Sequence, residues 1–187
     1  MARWSRAMAL LPPDVWRTLD LGCAFGFATR RLARRCDTVG VDASPAYIRR
    51  AVRAGGPARF LIAAADRVPL RDGAFDAVLL LDVIEHVPDE AAVVREAARL
   101  LRPGGALVLS VPHAGLLRRL DSINRCPDLV DPAEIAPFRD LAREDGEIHR
   151  HYTLAQIRAL LGPICRSTAC GTAASAWQNQ STSRCCG

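Results

Sequence analysis

The stretch TLDLGCAFGFATRRLARR, residues 18–35, contains the pattern that decides the fold. Its first residues, 18–22, predict a short buried strand, and residues 28–35 predict a helix. Gly22 and Gly26 lie between the two and predict a tight turn at the carboxyl end of the strand. A strand, a glycine turn and a helix in this order predict the first unit of an α/β domain.

The alternation of strand and helix patterns continues along the chain. Residues 75–81, FDAVLLL, form a continuous apolar run that is typical of a strand covered on both faces. Residues 38–42 predict a second strand, and the next helix is expected to begin at Pro45 with Ser44 as its N-cap. The remaining patterns predict strands at 58–64 and 106–111, helices at 89–101 and at 154–161 after a Thr153 cap, a turn at 102–105, and a lid of loop and short helix between 112 and 150. We therefore expect a Rossmann-like, doubly wound, mostly parallel α/β sheet flanked by helices.

Length and composition bound the class of protein. The chain has 187 residues, of which 50% are hydrophobic and 24% charged, which is typical of one globular domain. No apolar run reaches the roughly 18 residues that span a bilayer. The apolar stretch at residues 7–11 is too short for the core of an export signal. We expect one domain over residues 1–163, without a membrane span.

The basic residues do not predict a nucleic-acid partner. All 25 of them are arginine, as GC-rich codons favour, and they are scattered over candidate helices with few aromatic residues between them. We interpret them as a solvated helix surface. The seven cysteines show no CxxC spacing, and no histidine lies near the four of them that follow residue 163. We therefore expect no metal site and a reducing, cytoplasmic location.

Acidic residues follow several predicted strands at their carboxyl ends, where an open parallel sheet binds its ligand. Asp42 comes 20 residues after Gly22, at the position where a carboxylate can accept hydrogen bonds from both hydroxyls of a ribose. Asp66 follows the third strand and is placed to accept a hydrogen bond from the exocyclic amine of a base. Ala24 and Phe27 occupy places where a dinucleotide-binding turn has glycine. Their side chains favour a nucleoside ligand without phosphates, a requirement that S-adenosylmethionine meets.

Four segments in this order resemble the class I S-adenosylmethionine-dependent methyltransferases, and among them the small-molecule methyltransferase type 11 domain. They are LDLGCAFGFATRRLA, VGVDASPAYI, AAADRVPLRDGAFDAVLLLDVIEHV and LRPGGALVLSVPH, and the resemblance extends over residues 18–161. It implies S-adenosylmethionine as the cofactor and a small-molecule methyl acceptor. One departure is Ala24, which stands where the family has its central glycine and is expected to crowd the amino-acid tail of the cofactor.

The resemblance also implies which residues bind the cofactor. Gly22 and Gly26 form the turn beneath its methionine part, and Asp20 orients that turn. Asp42 binds the ribose, and Asp82 lies near the sulfonium. The full implied set is Asp20, Gly22, Cys23, Ala24, Gly26, Asp42, Ala43, Ala65, Asp66, Arg67, Asp82 and Val83. For a single aspartate such as Asp20 or Asp82, capping of a strand end is the alternative interpretation.

The implied chemistry places modest demands on the protein. The methyl group of a sulfonium is already activated, so the protein mainly aligns the acceptor and excludes water, and a base is needed only for an acceptor with a high pKa. The candidate bases are His86, His113 and His151, together with His149 and Tyr152 of the segment EIHRHYT, which we expect to close over the acceptor. The alternative for each histidine is a structural or pocket-lining role. The sequence leaves open two other functions, a catalytically inactive cofactor-binding remnant and a nicotinamide-dependent reductase on the same architecture.

Residues 164–187 differ from the rest of the chain in composition. They contain no Leu, Val, Asp or Glu, whereas Gln178, Asn179 and Gln180 follow one another and four cysteines crowd together. We interpret this segment as an atypical tail that is either translated out of frame or disordered. On that interpretation the sheet lacks its C-terminal antiparallel hairpin, and the apolar strand at 106–111 is an unprotected edge that makes the chain prone to aggregate.

Overall fold

The computed structural model describes residues 3–112, 114, 150–162, 164, 170–174 and 180–186. Its strands are β1 (Arg17–Leu21), β2 (Asp37–Asp42), β3 (Arg59–Ile62), β4 (Phe75–Leu81), β5 (Leu101–Pro112), β6 (Cys170–Ala174) and β7 (Gln180–Cys186). Its helices are α1 (Arg3–Leu10), α2 (Phe27–Leu32), α3 (Pro45–Arg53), α4 (Glu90–Leu100) and α5 (Leu154–Leu161), and Ile84–His86 form a 3₁₀ turn. None of the helices in the described ranges is long and apolar enough to cross a membrane.

The strands form one sheet in the order β3-β2-β1-β4-β5-β7-β6. The first five strands of the chain pair in parallel, which confirms the expected Rossmann-like sheet. The chain runs outward from β1 to β3 and then returns to β4 on the other side of β1. The order therefore reverses between β1 and β4, and in such sheets ligands bind in the crevice at this switch point.

Alternate residues of β4 pack on opposite faces of the sheet, which explains the apolar run that follows Asp76. Val78 and Leu80 belong to the larger core cluster, together with residues of α4 and α5. Leu79 packs on the other face with Leu32 of α2 and Ala7 of α1. All five of these side chains are buried. Because both faces of this part of the strand are withdrawn from water, residues 77–81 favour apolar side chains.

Side-chain caps begin three of the helices, and two of these caps are the predicted ones. The Ser44 hydroxyl accepts a hydrogen bond from the backbone N–H of Tyr47 at 3.3 Å. At α5, Thr153 and Gln156 form a reciprocal capping box. Asp89 caps α4, so this helix begins one residue later than the sequence pattern predicts. Each cap satisfies a backbone donor at the start of its helix and contributes about 1 kcal/mol.

Residues 102–105, which predict a turn, instead belong to β5. Phe75 of β4 pairs with Leu101, and Ala77 pairs with Ala106. The chain thus advances two residues on β4 and five on β5, and the three extra residues form a bulge. The turn-forming residues are accommodated inside a longer strand because the pairing with β4 resumes beyond them.

Residues 170–174 and 180–186 form an antiparallel hairpin, contrary to the expectation that this hairpin is missing. β7 pairs with β5 from Ala106↔Cys186 to Pro112↔Gln180, and β6 pairs with β7. The prediction of an unprotected β5 edge is therefore wrong. Strand pairing uses backbone N–H and C=O groups, which every residue except proline supplies, so a segment without Leu or Val can still cover an edge.

Two other expectations about this part of the chain stay predictions. The coding DNA decides whether residues 164–187 are translated out of frame. It thereby also decides whether they are separate from the domain expected at 1–163. Codons that forbid the shifted reading would end that interpretation. The predicted lid lies almost entirely outside the described residues, which include only 112, 114 and 150 of that segment.

Removal of residues 170–187 should uncover the backbone groups along the β5 edge. We expect the truncated chain to form larger aggregates than the full chain at equal concentration, as measured by size-exclusion chromatography with light scattering. Thr182→Pro should shift the full-length chain in the same direction, because it removes a backbone N–H from the middle of β7, opposite Ser110. A truncated chain as monodisperse as the full chain would contradict the role of the hairpin as an edge cover.

Candidate functional site

Backbone hydrogen bonds turn the chain after β1 toward β2. The N–H groups of Gly22 and Cys23 both donate to the carbonyl oxygen of Val41, at 2.7 and 2.9 Å. The N–H of Gly26 donates to the carbonyl oxygen of Cys23 at 2.8 Å and closes the turn. The result is a compact loop, residues 22–26, at the carboxyl ends of β1 and β2. It is named the glycine loop here.

The glycine loop fits tightly between neighbouring elements. A Cβ atom on Gly22 would lie 2.4 Å from Cγ2 of Val83, and one on Gly26 would lie 2.5 Å from the ring of Phe60. Both glycines also have left-handed φ angles, +82° and +70°. A side chain at either position is therefore excluded both by lack of space and by the backbone conformation.

Ala24 adopts a similar backbone conformation without being a glycine. Its φ is +45°, in a region that costs an alanine about 1–2 kcal/mol. Its N–H donates to Oδ2 of Asp42 at 2.9 Å, which holds the residue in this conformation. The departure from the family's glycine pattern is thus a strained residue at the centre of the loop.

Two backbone donors fix the carboxylate of Asp42. Its Oδ2 accepts from Ala24, and its Oδ1 accepts from Ser44 at 2.8 Å. Ala43, between Asp42 and Ser44, is exposed. A carboxylate offers about four acceptor positions, so about two remain on this half-buried side chain. That capacity matches the two hydroxyls of a ribose.

Asp20 joins the two elements on either side of the glycine loop. It is 2% exposed, and the hydroxyl of Thr29 in α2 donates to its Oδ2 at 2.5 Å. Burial raises the pKa of Asp20 to about 6; hydrogen bonds from Thr29 oppose the rise, and the negative charge of Asp42 adds to it. Burial also raises the pKa of the Cys23 thiol well above its ordinary value. That thiol is therefore protonated at neutral pH and is not a nucleophile.

The loop after β3 lies beside Asp42. The N–H of Ala63 donates to the carbonyl oxygen of Asp42 at 3.1 Å. Beyond it, Ala65 is half-buried, and Asp66 and Arg67 are exposed. The structure therefore brings the predicted ribose-binding and base-binding residues to adjacent positions at one edge of the sheet.

Asp82 and Val83 border the other side of the switch point, directly after β4. Asp82 has a φ of +56° and is held by Ser110, whose carbonyl oxygen accepts from its N–H at 3.0 Å and whose hydroxyl donates to its Oδ1 at 2.9 Å. The Val83 side chain lies against Gly22. Predicted site residues after β1 and after β4 thus meet across the crevice, and sequence reasoning missed Ser110 because it lies on a different strand.

Tyr152 is fixed inside the protein. It is 4% exposed, and its hydroxyl donates to the carbonyl oxygen of Ile84 at 3.1 Å and lies 3.3 Å from the Glu90 carboxylate. Burial raises the pKa of Tyr152 to about 12, so the hydroxyl is a donor at neutral pH. These contacts favour a structural role for Tyr152 over that of a base.

Arg150 adds a second set of bonds between this segment and the turn after β4. Its guanidinium donates to the carbonyl oxygens of Val87 and Pro88 at 2.5 and 3.2 Å and pairs with Glu90 at 2.8 Å. The turn that carries His86 is thereby fixed. Sequence reasoning missed this role because one arginine in an irregular segment contributes no periodic pattern.

The candidate histidines are only partly located. His86 is exposed and His151 is half-buried, whereas His113 and His149 lie outside the described residues. A role as base for any of them stays a prediction. Within the part of the chain that the structure describes, no group of three or more His, Cys, Asp or Glu side chains is arranged to hold a metal ion.

Comparison with known proteins finds families and structures to which this chain is similar. The model of a family described as a methyltransferase domain matches residues 19–109. This stretch, just under half of the chain, is similar to a methyltransferase domain. The chain is 34% identical over 115 residues to the 2-methyl-6-phytyl-1,4-hydroquinone methyltransferase of Synechocystis. It is 35% identical over 142 residues to a ubiquinone biosynthesis O-methyltransferase of Xanthomonas oryzae.

The extent of these matches differs between the curated relatives and a solved structure. The two relatives match 59% and 65% of this chain, and the chain spans 36% and 59% of their lengths. An S-adenosylmethionine-dependent methyltransferase from Mesorhizobium loti covers 98% of this chain, which in turn covers 97% of it, with a TM-score of 0.71 and 21% identity. That likeness confirms the Rossmann-like fold.

The buried Asp20 gives the stability of the chain a testable pH dependence. Between pH 3.8 and about 6 the folded state holds a proton on Asp20 that the unfolded state releases. The contribution of Asp20 to the free energy of unfolding is therefore largest at low pH and falls as the pH rises through this window. Asp20→Asn should remove that slope in urea unfolding measured at several pH values.

Asp76→Asn is the control, because the pKa of Asp76 is shifted in the opposite direction from that of Asp20. Burial raises the pKa of Asp76, but hydrogen bonds from Arg102 and from the N–H groups of Arg17 and Trp16 outweigh it and leave the pKa below its ordinary value. Asp76 therefore adds stability above its ordinary pKa and loses it as the pH falls through the folded-state pKa. If Asp20→Asn keeps the wild-type slope between pH 4 and 6, the assignment of the raised pKa is wrong.

Ala24→Gly should relieve backbone strain while preserving the site. Glycine removes the backbone strain of the folded loop, but it also gives the unfolded chain more conformational entropy. Because the two effects oppose each other, we expect the free energy of unfolding to change by less than about 1 kcal/mol. Binding of S-adenosylhomocysteine, measured by calorimetry, should be equal or tighter. Ala24→Val, a β-branched residue at positive φ, should lower both stability and affinity. A tenfold loss of affinity in Ala24→Gly would show that the methyl group is a packing contact.

Proposed function

We propose that this chain transfers a methyl group from S-adenosylmethionine to a small organic acceptor. The observation that supports this function best is the joining of the glycine loop to Asp42 through the N–H group of Ala24, while the N–H group of Ser44 fixes the other carboxylate oxygen. A fixed carboxylate with remaining acceptor capacity suits a ribose. A neighbouring loop whose centre carries a side chain suits an amino-acid tail better than a pyrophosphate.

The described residues fit such a ligand one by one. Asp42 would accept hydrogen bonds from the ribose hydroxyls, and Asp66 would accept one from the exocyclic amine of the adenine. The glycine loop would lie beneath the methionine part, with Asp20 holding that loop to α2. Asp82 and Val83 would border the sulfonium.

The chemistry asked of these residues is mainly alignment. The cofactor, when bound, supplies a methyl group activated on a sulfonium. The residues of the site hold the acceptor in line with that methyl group and exclude water. For an acceptor with a high pKa, we propose that His86, His113 or His151 takes the proton. The buried and hydrogen-bonded Tyr152 does not fit that role.

The named relatives suggest a first class of acceptor. One is a hydroquinone methyltransferase and the other an O-methyltransferase of ubiquinone biosynthesis. We therefore propose aromatic hydroxyl compounds as the acceptors to test first. A cytoplasmic location is part of the same proposal, supported by the free thiols of Cys23 and Cys36.

Calorimetric titration with S-adenosylhomocysteine and with NAD tests the cofactor. We expect the first ligand to bind and the second not to bind, and the reverse result would favour a nicotinamide-dependent reductase. Asp42→Ala should weaken S-adenosylhomocysteine binding by about 1–3 kcal/mol, or about 5- to 150-fold, because it removes a charged acceptor. Asp37→Ala is the matched control, since Asp37 begins the same strand and pairs with Arg59 at the opposite end of the sheet.

Turnover separates an enzyme from a non-catalytic remnant. Transfer of a radiolabelled methyl group from S-adenosylmethionine to a panel of catechols and hydroquinones would support the enzyme. Binding of S-adenosylhomocysteine without transfer to any acceptor of that panel or of an amine and carboxylate panel would favour the remnant. Asp42→Ala should lower turnover at limiting cofactor concentration, and a saturating cofactor concentration should restore much of that turnover.

A further inference from the structure

We propose that Arg99 of α4 positions the loop that selects the base of the cofactor and is thereby a selectivity determinant of this site. The loop, residues 64–72, follows β3 and is named the base loop. It begins with the residues expected to frame the adenine, among them Asp66. The inference rests on the proposed use of S-adenosylmethionine.

Arg99 bonds to the base loop with both ends of its guanidinium group. Its Nη1 donates to the carbonyl oxygen of Leu70 at 2.9 Å and to the Asp72 carboxylate. Its Nη2 donates to the carbonyl oxygen of Val68 at 3.0 Å. The backbone carbonyl of Arg99 accepts from the N–H of Gly73 at 2.9 Å. One residue therefore holds the base loop at several points along its length.

Glu96 completes this arrangement. Its Oε1 accepts from the backbone N–H of Val68 at 2.7 Å, and its two oxygens accept from Nη2 and Nε of Arg99 at 2.7 and 2.8 Å. The Glu96 side chain is only 11% exposed. The hydrogen bonds from Arg99 hold the pKa of Glu96 below its ordinary value, so the pair stays charged at neutral pH. A bidentate, half-buried pair of this kind is stronger than a single exposed ion pair.

These bonds fasten an exposed loop to a rigid helix. The apolar face of α4 is buried in the core and consists of Val93, Val94, Ala97 and Leu100. Asp66 and Arg67, in contrast, are exposed, and exposed loop residues open easily when few bonds hold their segment. A hydrogen bond between Asp66 and an adenine amine weakens steeply with distance and angle. Fixing the base loop to α4 is therefore a condition for selecting the base.

The test compares two ligands that differ at the base. S-adenosylhomocysteine carries an exocyclic amine, and S-inosylhomocysteine carries a carbonyl oxygen in its place. We expect the wild-type chain to prefer the adenosyl ligand by about tenfold or more, because the Asp66 carboxylate accepts from the amine and repels the oxygen. Arg99→Met should lower that ratio by about threefold or more in calorimetry, whereas a general loss of stability weakens both ligands alike.

Two further variants control for folding and for charge. Arg102→Met is the matched control, because Arg102 pairs with Asp76 where β4 and β5 begin, at the opposite end of the sheet, and it should keep the wild-type ratio. Glu96→Gln keeps an acceptor for the Val68 N–H and removes the charge. Glu96→Gln should lower the adenosyl-to-inosyl affinity ratio less than Arg99→Met does. If Arg99→Met fails to fold, Glu96→Gln replaces it in the experiment.

The outcomes distinguish a failure of the role assigned to Arg99 from a failure of the proposed function. A wild-type ratio near one, or an unchanged ratio in Arg99→Met, overturns the role of Arg99. An equal fall of the ratio in Arg102→Met overturns it as well, because the effect is then general. If the wild-type chain has no affinity for S-adenosylhomocysteine, the proposed function itself is overturned.

Discussion

The narrow space around the glycine loop is the constraint on which the rest of the site depends. Val83 and Phe60 approach so closely that neither Gly22 nor Gly26 has room for a Cβ atom. The backbone therefore makes the turn by itself, through hydrogen bonds to the carbonyl oxygen of Val41. The loop follows the carboxyl end of β1, and because β1 is paired with β2 on one side and with β4 on the other, the loop lies at the switch point of the sheet. The position of the site follows from strand order and from residue size together.

The strand that leads into the glycine loop, β1, is apolar on one face only. Leu19 and Leu21 belong to the larger core, whereas Asp20 points to the opposite face and meets Thr29 of α2. A buried carboxyl group is costly unless it is hydrogen-bonded, and the Thr29 hydroxyl offsets part of that cost. At Asp20 the strand gives up apolar burial and gains a bond between the elements on either side of the glycine loop. Local conflicts of this kind are concentrated at functional sites.

Sequence patterns predicted the features that depend on near neighbours or on burial. The strand predicted at 75–81 begins and ends where β4 does, and Ser44 caps α3 because its hydroxyl lies next to the N–H group that it binds. The bulge at residues 102–105 depends on register with β4, and the hairpin depends on the backbone of β5, so neither appears in a local pattern. In the site, the spacing of Asp42 along the chain predicted its place beside the glycine loop. The hydroxyl of Ser110 that holds Asp82 was not predicted, because 28 residues separate the two.

The arginine-only composition has different consequences at different positions. A guanidinium has five donors in one plane, whereas an ammonium has three donors on one atom. Arg99 and Arg150 each bond to two backbone carbonyl oxygens of a loop and also to a glutamate of α4. One helix thereby anchors both the base loop and the turn that carries His86. Codon supply accounts for arginine at scattered surface positions, where lysine would serve equally well. It does not account for these two positions, because a lysine lacks the fork that reaches a carboxylate and two carbonyl groups at once.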